Sequence, residues 1–134
     1  MYQERLMDMR IAHVALWVID LEKEKAFYEH YFNGHSSEKY ENKTKGFESY
    51  FISFGSKTRL EVMRKNDVKA KYAPLETGWA HIAFSVGSKD RVNALSEKLE
   101  DDGYRLISRP RTTGDGYYEC VIEDPEGNRV ELTE

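Results

Sequence analysis

An α+β fold made of two copies of one module is predicted by this chain, each copy a strand, a helix and three further strands. Three observations predict it. First, Trp79-Ala80-His81-Ile82-Ala83-Phe84-Ser85-Val86 alternates, with His81 on one face and Ile82, Phe84 and Val86 on the other; His13-Val14-Ala15-Leu16-Trp17-Val18 repeats that pattern earlier. Second, a helix-like run follows each of these strands. Third, each half closes on a strand that carries a glutamate, and His13 precedes Glu61 by 48 positions while His81 precedes Glu131 by 50. A single helix covers only one face of a small sheet. A second copy is the natural cover for the other face, and two open faces then enclose a cavity.

The first module runs from about residue 9 to 66. Met1 to Arg10 reads as a loose lead-in. Ile11 to Val18 is a strand, with Ile11, His13, Ala15 and Trp17 on one face. Asp20 caps the next helix, Ala26, Phe27, Tyr31 and Phe32 form its apolar stripe, and Gly34 stops it. Ser36 to Lys45 is a polar edge strand leading to a turn near Gly46. Glu48 to Phe54 is an aromatic-rich strand, Gly55-Ser56 a turn, and Thr58 to Arg64 the returning strand. Residues 66–78, with Pro74 and Gly78, form a linker.

The second module covers 79–134. Ser88 caps a helix whose apolar residues are Val92, Leu95 and Leu99, and Gly103 ends it. Tyr104 to Ser108 is a strand, with Arg109-Pro110-Arg111 leading out of it. Thr112 to Gly116 is a loop suited to a lid. Tyr117 to Glu123 is a strand, Asp124-Pro125-Glu126-Gly127-Asn128 a turn, and Arg129 to Thr133 the closing strand.

With 134 residues, the chain is expected to form one domain with a real core. Hydrophobic residues at 40% and charged residues at 33% fit a folded soluble protein. The net charge of −4 argues against nucleic acid or an anionic membrane as main partner. No apolar run is long enough to span a bilayer, and the first ten residues lack the apolar centre of a secretory signal. Cys120 is the single cysteine, which excludes an intrachain disulfide and a cysteine-rich zinc cluster. It reads as a small buried hydrophobe with no evident base beside it. A cytoplasmic protein is expected.

The chemistry rests on four residues. The neighbours Val14, Leu60, Val62, Ile82, Val130 and Leu132 are apolar and belong on the helix-covered faces. Alternation therefore sends His13, Glu61, His81 and Glu131 to the open faces. Taken singly, each is ordinarily a satisfied or solvated polar residue. Matching positions in two repeats point instead to one metal site. Two imidazoles and two carboxylates suit Zn²⁺, Ni²⁺, Mn²⁺, Fe²⁺ or Co²⁺, and the donor mixture does not pick one; zinc is the first expectation. Any further coordination position falls to water or substrate. His30 and His35 read as surface residues. Arg109 and Arg111 read as solvated, and Tyr50, Phe54, Tyr117 and Tyr118 as core or cavity wall.

These residues resemble the vicinal oxygen chelate superfamily, which includes glyoxalase I, bleomycin-resistance proteins, fosfomycin-resistance enzymes, methylmalonyl-CoA epimerase and extradiol dioxygenases. The resemblance spans about residues 9–134. It rests on His13-Val-Ala-Leu-Trp-Val with Asp20 and Phe27-Tyr28, on Leu60-Glu61-Val62, on Gly78-Trp-Ala-His81-Ile-Ala-Phe-Ser-Val86, and on Glu123-Asp-Pro-Glu-Gly-Asn-Arg-Val-Glu131-Leu132. It implies paired βαβββ modules forming an open, partly closed mixed β-barrel, helices outside, around a metal. Bacterial glyoxalase I carries His, Glu, His and Glu at the positions of His13, Glu61, His81 and Glu131. Fosfomycin-resistance enzymes and extradiol dioxygenases use only the equivalents of His13, His81 and Glu131. Trp17 stands where glyoxalase I has an arginine for glutathione, and Lys65 where it has an asparagine, so glutathione dependence is not implied.

The function implied is a metal-dependent, glyoxalase-I-like lyase or isomerase of a small α-hydroxycarbonyl or thiol-adduct substrate, with a homodimer expected. Its chemistry passes through a metal-stabilised enediolate. Glu131 is by resemblance the first candidate base, and Glu61 the second. A cation-bound carboxylate is a weak base, so the base has to loosen from the metal when substrate binds. The alternatives are a thiol transferase or dioxygenase of the same superfamily, and a non-catalytic protein that sequesters an aromatic or cationic ligand.

Overall fold

The computed structural model describes residues 10–70 and 79–134. Most of the expected lead-in and of the 66–78 linker, Pro74 and Gly78 included, lies outside them. Two compact units divide between Val68 and Lys69.

The first unit contains β1 (His13–Trp17), α1 (Leu21–Phe32), β2 (His35–Ser36), β3 (Tyr40–Asn42), β4 (Phe47–Ser53) and β5 (Arg59–Lys65). Asp20 caps α1 as expected, its carboxylate accepting from the Lys23 backbone N–H at 3.1 Å. The sheet order is β1-β5-β4-β2, with β3 also on β4. β1 and β5 are parallel, and the other pairs are antiparallel. The helix packs on β4 and β5. Leu21, Phe27 and Tyr28 meet Tyr50, Ile52, Leu60 and Val62 in the core, and each full burial is worth roughly 1.5–3 kcal/mol. Ala26, expected in the apolar stripe, is exposed, while Tyr31 and Phe32 are half-buried. The buried line instead follows Leu21, Glu24 and Tyr28, the three- and four-residue spacing of a helix face.

Two expectations are corrected here. The edge strand over 36–45 divides into β2 and β3. The Ser37 N–H still donates to the Phe51 carbonyl, and its hydroxyl accepts from the Phe51 N–H, but one extra residue then intervenes before Tyr40 pairs with Ser49. At this bulge Lys39 turns to Glu22 at 2.9 Å and Glu48 at 3.0 Å. The second concerns Gly34. The left-handed residue ending α1 is Asn33, with φ 54°. Gly34 serves close packing: a Cβ there would lie 2.6 Å from the Ile52 methyl and 3.0 Å from the Tyr28 carbonyl oxygen.

The second unit contains β6 (Ile82–Ser85), α2 (Lys89–Asp101), β7 (Leu106–Thr112), β8 (Tyr118–Glu123) and β9 (Arg129–Thr133), with sheet order β6-β9-β8-β7. Ser88 caps α2, accepting from the Arg91 N–H at 3.2 Å. Val92 and Leu99 are buried with Cys120, Ile122, Val130 and Leu132. Burial pushes the Cys120 thiol up to about 11, in keeping with an inert packing role. The strand expected from Trp79 begins at Ile82, leaving His81 just before it. Arg109-Pro110-Arg111 lies inside β7 rather than beyond it. β7 is the sheet edge and its pairing is irregular between Ser108 and Arg111, the interval that holds Pro110, so a residue without an N–H is tolerated there. The buried Asp124 accepts from the Glu126 and Asn128 N–H groups, each at 2.9 Å, and closes the turn into β9.

The Gly34 contact yields a measurable contrast. Gly34→Ala is expected to destabilise the fold by about 1–3 kcal/mol through overpacking. Asn33→Gly is expected to change it by less than about 0.5 kcal/mol. Denaturant unfolding of both variants checks this, and equal losses contradict it.

Candidate metal-binding pairs

In each module the first strand lies parallel to the last. Ala15 stands opposite Glu61, and Ala83 opposite Glu131. The histidine lies two residues before that alanine in both cases. The histidine and glutamate are therefore diagonal neighbours on one face, and the alanine methyl leaves room for the carboxylate to lean toward the imidazole. His13 Nε2 lies 3.8 Å from Glu61 Oε1. His81 Nε2 lies 3.3 Å from Glu131 Oε2. The glutamates are mostly covered, at 14% and 19% side-chain exposure, whereas the histidines keep 45% and 42%. Among the described residues of either module, no group of three or more metal-binding side chains is gathered. Each module thus offers one nitrogen and one oxygen donor, a fit to half the coordination sphere of a divalent ion.

The surroundings of the two pairs differ. Phe51 stands opposite Glu61, and its ring meets the His13 imidazole edge-on, centroids 5.4 Å apart. The Arg59 guanidinium lies over the same ring at 4.2 Å. In the second module Val121 takes the place opposite Glu131. There burial pushes the Glu131 carboxyl above its ordinary value. A hydrogen bond with the Glu119 carboxyl raises it further, the His81 charge lowers it, and the Glu119 and Asp115 charges raise it again.

Phe51, Arg59 and Glu119 were not among the residues singled out from sequence. The available signals were alternation along the strands opposite the glutamates, and the shared spacing Arg59-Leu60-Glu61 and Arg129-Val130-Glu131. His30 and His35 are exposed, as expected. Arg109 reaches Glu100 at 3.2 Å. Tyr50 is buried and donates to Glu22 at 2.9 Å, whereas Tyr117 is 58% exposed and lines no core. The loop expected as a lid is short, Thr113 bonding Asp115 and the Tyr117 carbonyl.

Two parallel-closed βαβββ modules, each with a histidine on or just before its first strand and a glutamate on its last, define a glyoxalase-like class of protein. The chain belongs to the Glyoxalase/Bleomycin resistance protein/Dioxygenase superfamily, whose profile matches residues 10–132. It is 31% identical over 127 residues to the uncharacterized protein YqjT of Bacillus subtilis (strain 168), covering 90% of this chain and 94% of that one. Among solved structures, a glyoxylase/bleomycin resistance protein/dioxygenase domain from Frankia sp. EAN1pec superposes with a TM-score of 0.81 at 15% identity, covering 95% of this chain and 98% of that one. Glyoxalase I from Zea mays superposes with a TM-score of 0.77 at 22% identity, covering 92% of this chain but only 44% of the maize chain. The chain thus spans less than half the length of that enzyme. These structural likenesses establish the fold. No helix among the described residues is long and apolar enough to cross a membrane.

The raised Glu131 carboxyl carries a signed prediction. It binds its proton more tightly in the folded than in the unfolded protein. Its contribution to stability is thus full below the ordinary carboxylate range and is lost as pH rises through its elevated pKa. In metal-free protein, the melting temperature of Glu131→Gln relative to wild type should climb as pH rises from the ordinary carboxylate range through the elevated Glu131 pKa. A pH-independent difference in thermal scans contradicts this.

Proposed function

We propose that this protein is a metal-dependent, glyoxalase-I-like lyase or isomerase acting on a small α-hydroxycarbonyl or thiol-adduct substrate. The observation that carries this reading is the repeated pair: in both modules a histidine Nε2 faces a glutamate carboxylate at equivalent positions of the same strand pairing. His13, Glu61, His81 and Glu131 would together hold one divalent ion, with zinc the first candidate among the metals that this donor set suits. When bound, the ion supplies electrostatic stabilisation of negative charge on a substrate oxygen. A homodimer in the cytoplasm belongs to the same reading.

The protein's own part is proton transfer and positioning. A base is needed for the C–H proton next to the carbonyl, and an acid to return it to the neighbouring carbon. Glu131 is the better candidate, because burial and the Glu119 carboxyl raise its affinity for a proton. Its one proton moves on and off the same carboxylate, so no external reductant or oxidant is needed. Glu61, facing His13 with the Phe51 ring opposite it, is suited to remain a ligand. Trp17 and Lys65, at the positions that serve glutathione in glyoxalase I, favour a different thiol or a thiol-free substrate.

A second reading is favoured by one feature. Trp17 and Tyr40 remain 51% and 56% exposed on the face that carries His13, with Phe47 between their rings at 6.2 and 6.0 Å. Such a row suits a protein that sequesters an aromatic ligand without turnover.

Metal content separates the two. Elemental analysis of wild type should give about one transition metal per four-residue site. The His81→Ala/Glu131→Ala and His13→Ala/Glu61→Ala variants should each lose it. Metal-loaded wild type should convert thiol adducts of methylglyoxal or related hydroxycarbonyls. Glu131→Gln is expected to lower kcat by at least about a hundredfold. Protein that takes up no Zn²⁺, Ni²⁺, Mn²⁺, Fe²⁺ or Co²⁺, yet binds aromatic ligands, sinks the lyase reading.

A further inference from the structure

We propose that Arg59 is a substrate-anion receptor beside the His13–Glu61 pair, and that the substrate accordingly carries a carboxylate. The proposal rests on the reading that this face receives the substrate.

Arg59 lies on β5 as the register partner of His13, flanked on the other side by Ser53 of β4. Its own N–H donates to the Ala12 carbonyl at 3.0 Å, and the Thr58 hydroxyl donates to the Ile11 carbonyl at 2.6 Å. The base of the side chain is therefore fixed inside the sheet. Alternation puts the side chain on the Glu61 face. The Phe51 contact confirms it, because the ring under the guanidinium also touches the His13 imidazole. Phe51 stands in register with Glu61, so the cation is held over the row that carries the carboxylate ligand. One row is about 7 Å from the next on the same face of a strand.

The charge of Arg59 is available. Arg64, Arg105 and Arg109 are each held by a glutamate, at 3.5, 3.7 and 3.2 Å. Among the described residues, no carboxylate pairs with Arg59, and its guanidinium rests on the Phe51 ring. A guanidinium stacked on a ring keeps its N–H fork free at the edges, and that fork matches a carboxylate in bidentate geometry. An unneutralised cation next to two ligands of a divalent ion weakens the bare ion's binding. It favours the ion together with an anion, which is the state a substrate carboxylate creates. Arg129 holds the corresponding position before Glu131, but Val121 replaces Phe51 there and leaves no ring to hold the guanidinium.

The test uses lactate and its neutral isostere lactamide as probes, titrated calorimetrically into the full-length protein with and without bound Zn²⁺. Wild type should prefer lactate by roughly tenfold or more, the range of a charge-assisted hydrogen-bonded pair. Arg59→Gln should abolish the preference while metal content and melting temperature stay at wild-type levels. Arg59→Lys should restore part of it as a point charge. Retention of the preference in Arg59→Gln overturns the assignment, as does its loss in Arg129→Gln alone. Zinc-binding protein without any preference for lactate defeats the Arg59 proposal only. Protein that binds neither zinc nor either probe defeats the proposal and the lyase reading together.

Discussion

The parallel pairing of first and last strands is the constraint on which each module depends. In the first module it joins β1 to β5 and in the second β6 to β9. The two strands are far apart in sequence, and the helix with the intervening strands forms the connection that a parallel pair requires. Once it closes, the register decides which side chains meet. A shift of one residue would turn every glutamate and histidine into the helix-covered core and every leucine and valine to the open face. The apolar set Leu60, Val62, Val130 and Leu132, all at or near zero exposure, prevents that shift. Packing energy on one face thereby holds the polar pair on the other.

The repeat is close in backbone and unequal in chemistry. Both modules place histidine and glutamate as diagonal neighbours across an alanine. In the first, an aromatic ring and a guanidinium surround the pair. In the second, additional carboxyls do, and Glu131 binds its proton more tightly as a result. Equal scaffolds with unequal neighbours thus give two otherwise identical glutamates different proton affinities, on which the proposed division of roles rests.

Much of this was legible without coordinates, because alternation and capping are local. Strand faces follow from period two, and the Asp20 and Ser88 caps follow from residue type and position. The failures were also physical. The Gly34 stop was misread because a glycine after a helix has two uses, left-handed backbone and close approach, and only the Ile52 methyl above it distinguishes them. Pro110 reads as a strand breaker until the sheet order puts β7 at an edge. The polar stretch over 36–45 reads as one strand because nothing in it marks the bulge at which Lys39 turns to its glutamates.

The sequence by itself determined the repeated strand–helix–strand–strand–strand order, the faces on which His13, Glu61, His81 and Glu131 stand, and the membership of Cys120 in the core. Each follows from the periodicity or polarity of neighbouring residues. The tertiary structure alone decided that each histidine reaches its glutamate within 4 Å. It also decided that Phe51 lies between His13 and Arg59, and that Glu119 meets Glu131. These contacts join strands separated by turns, helices and whole hairpins. Their distances depend on register and side-chain direction across the sheet, which no local pattern encodes.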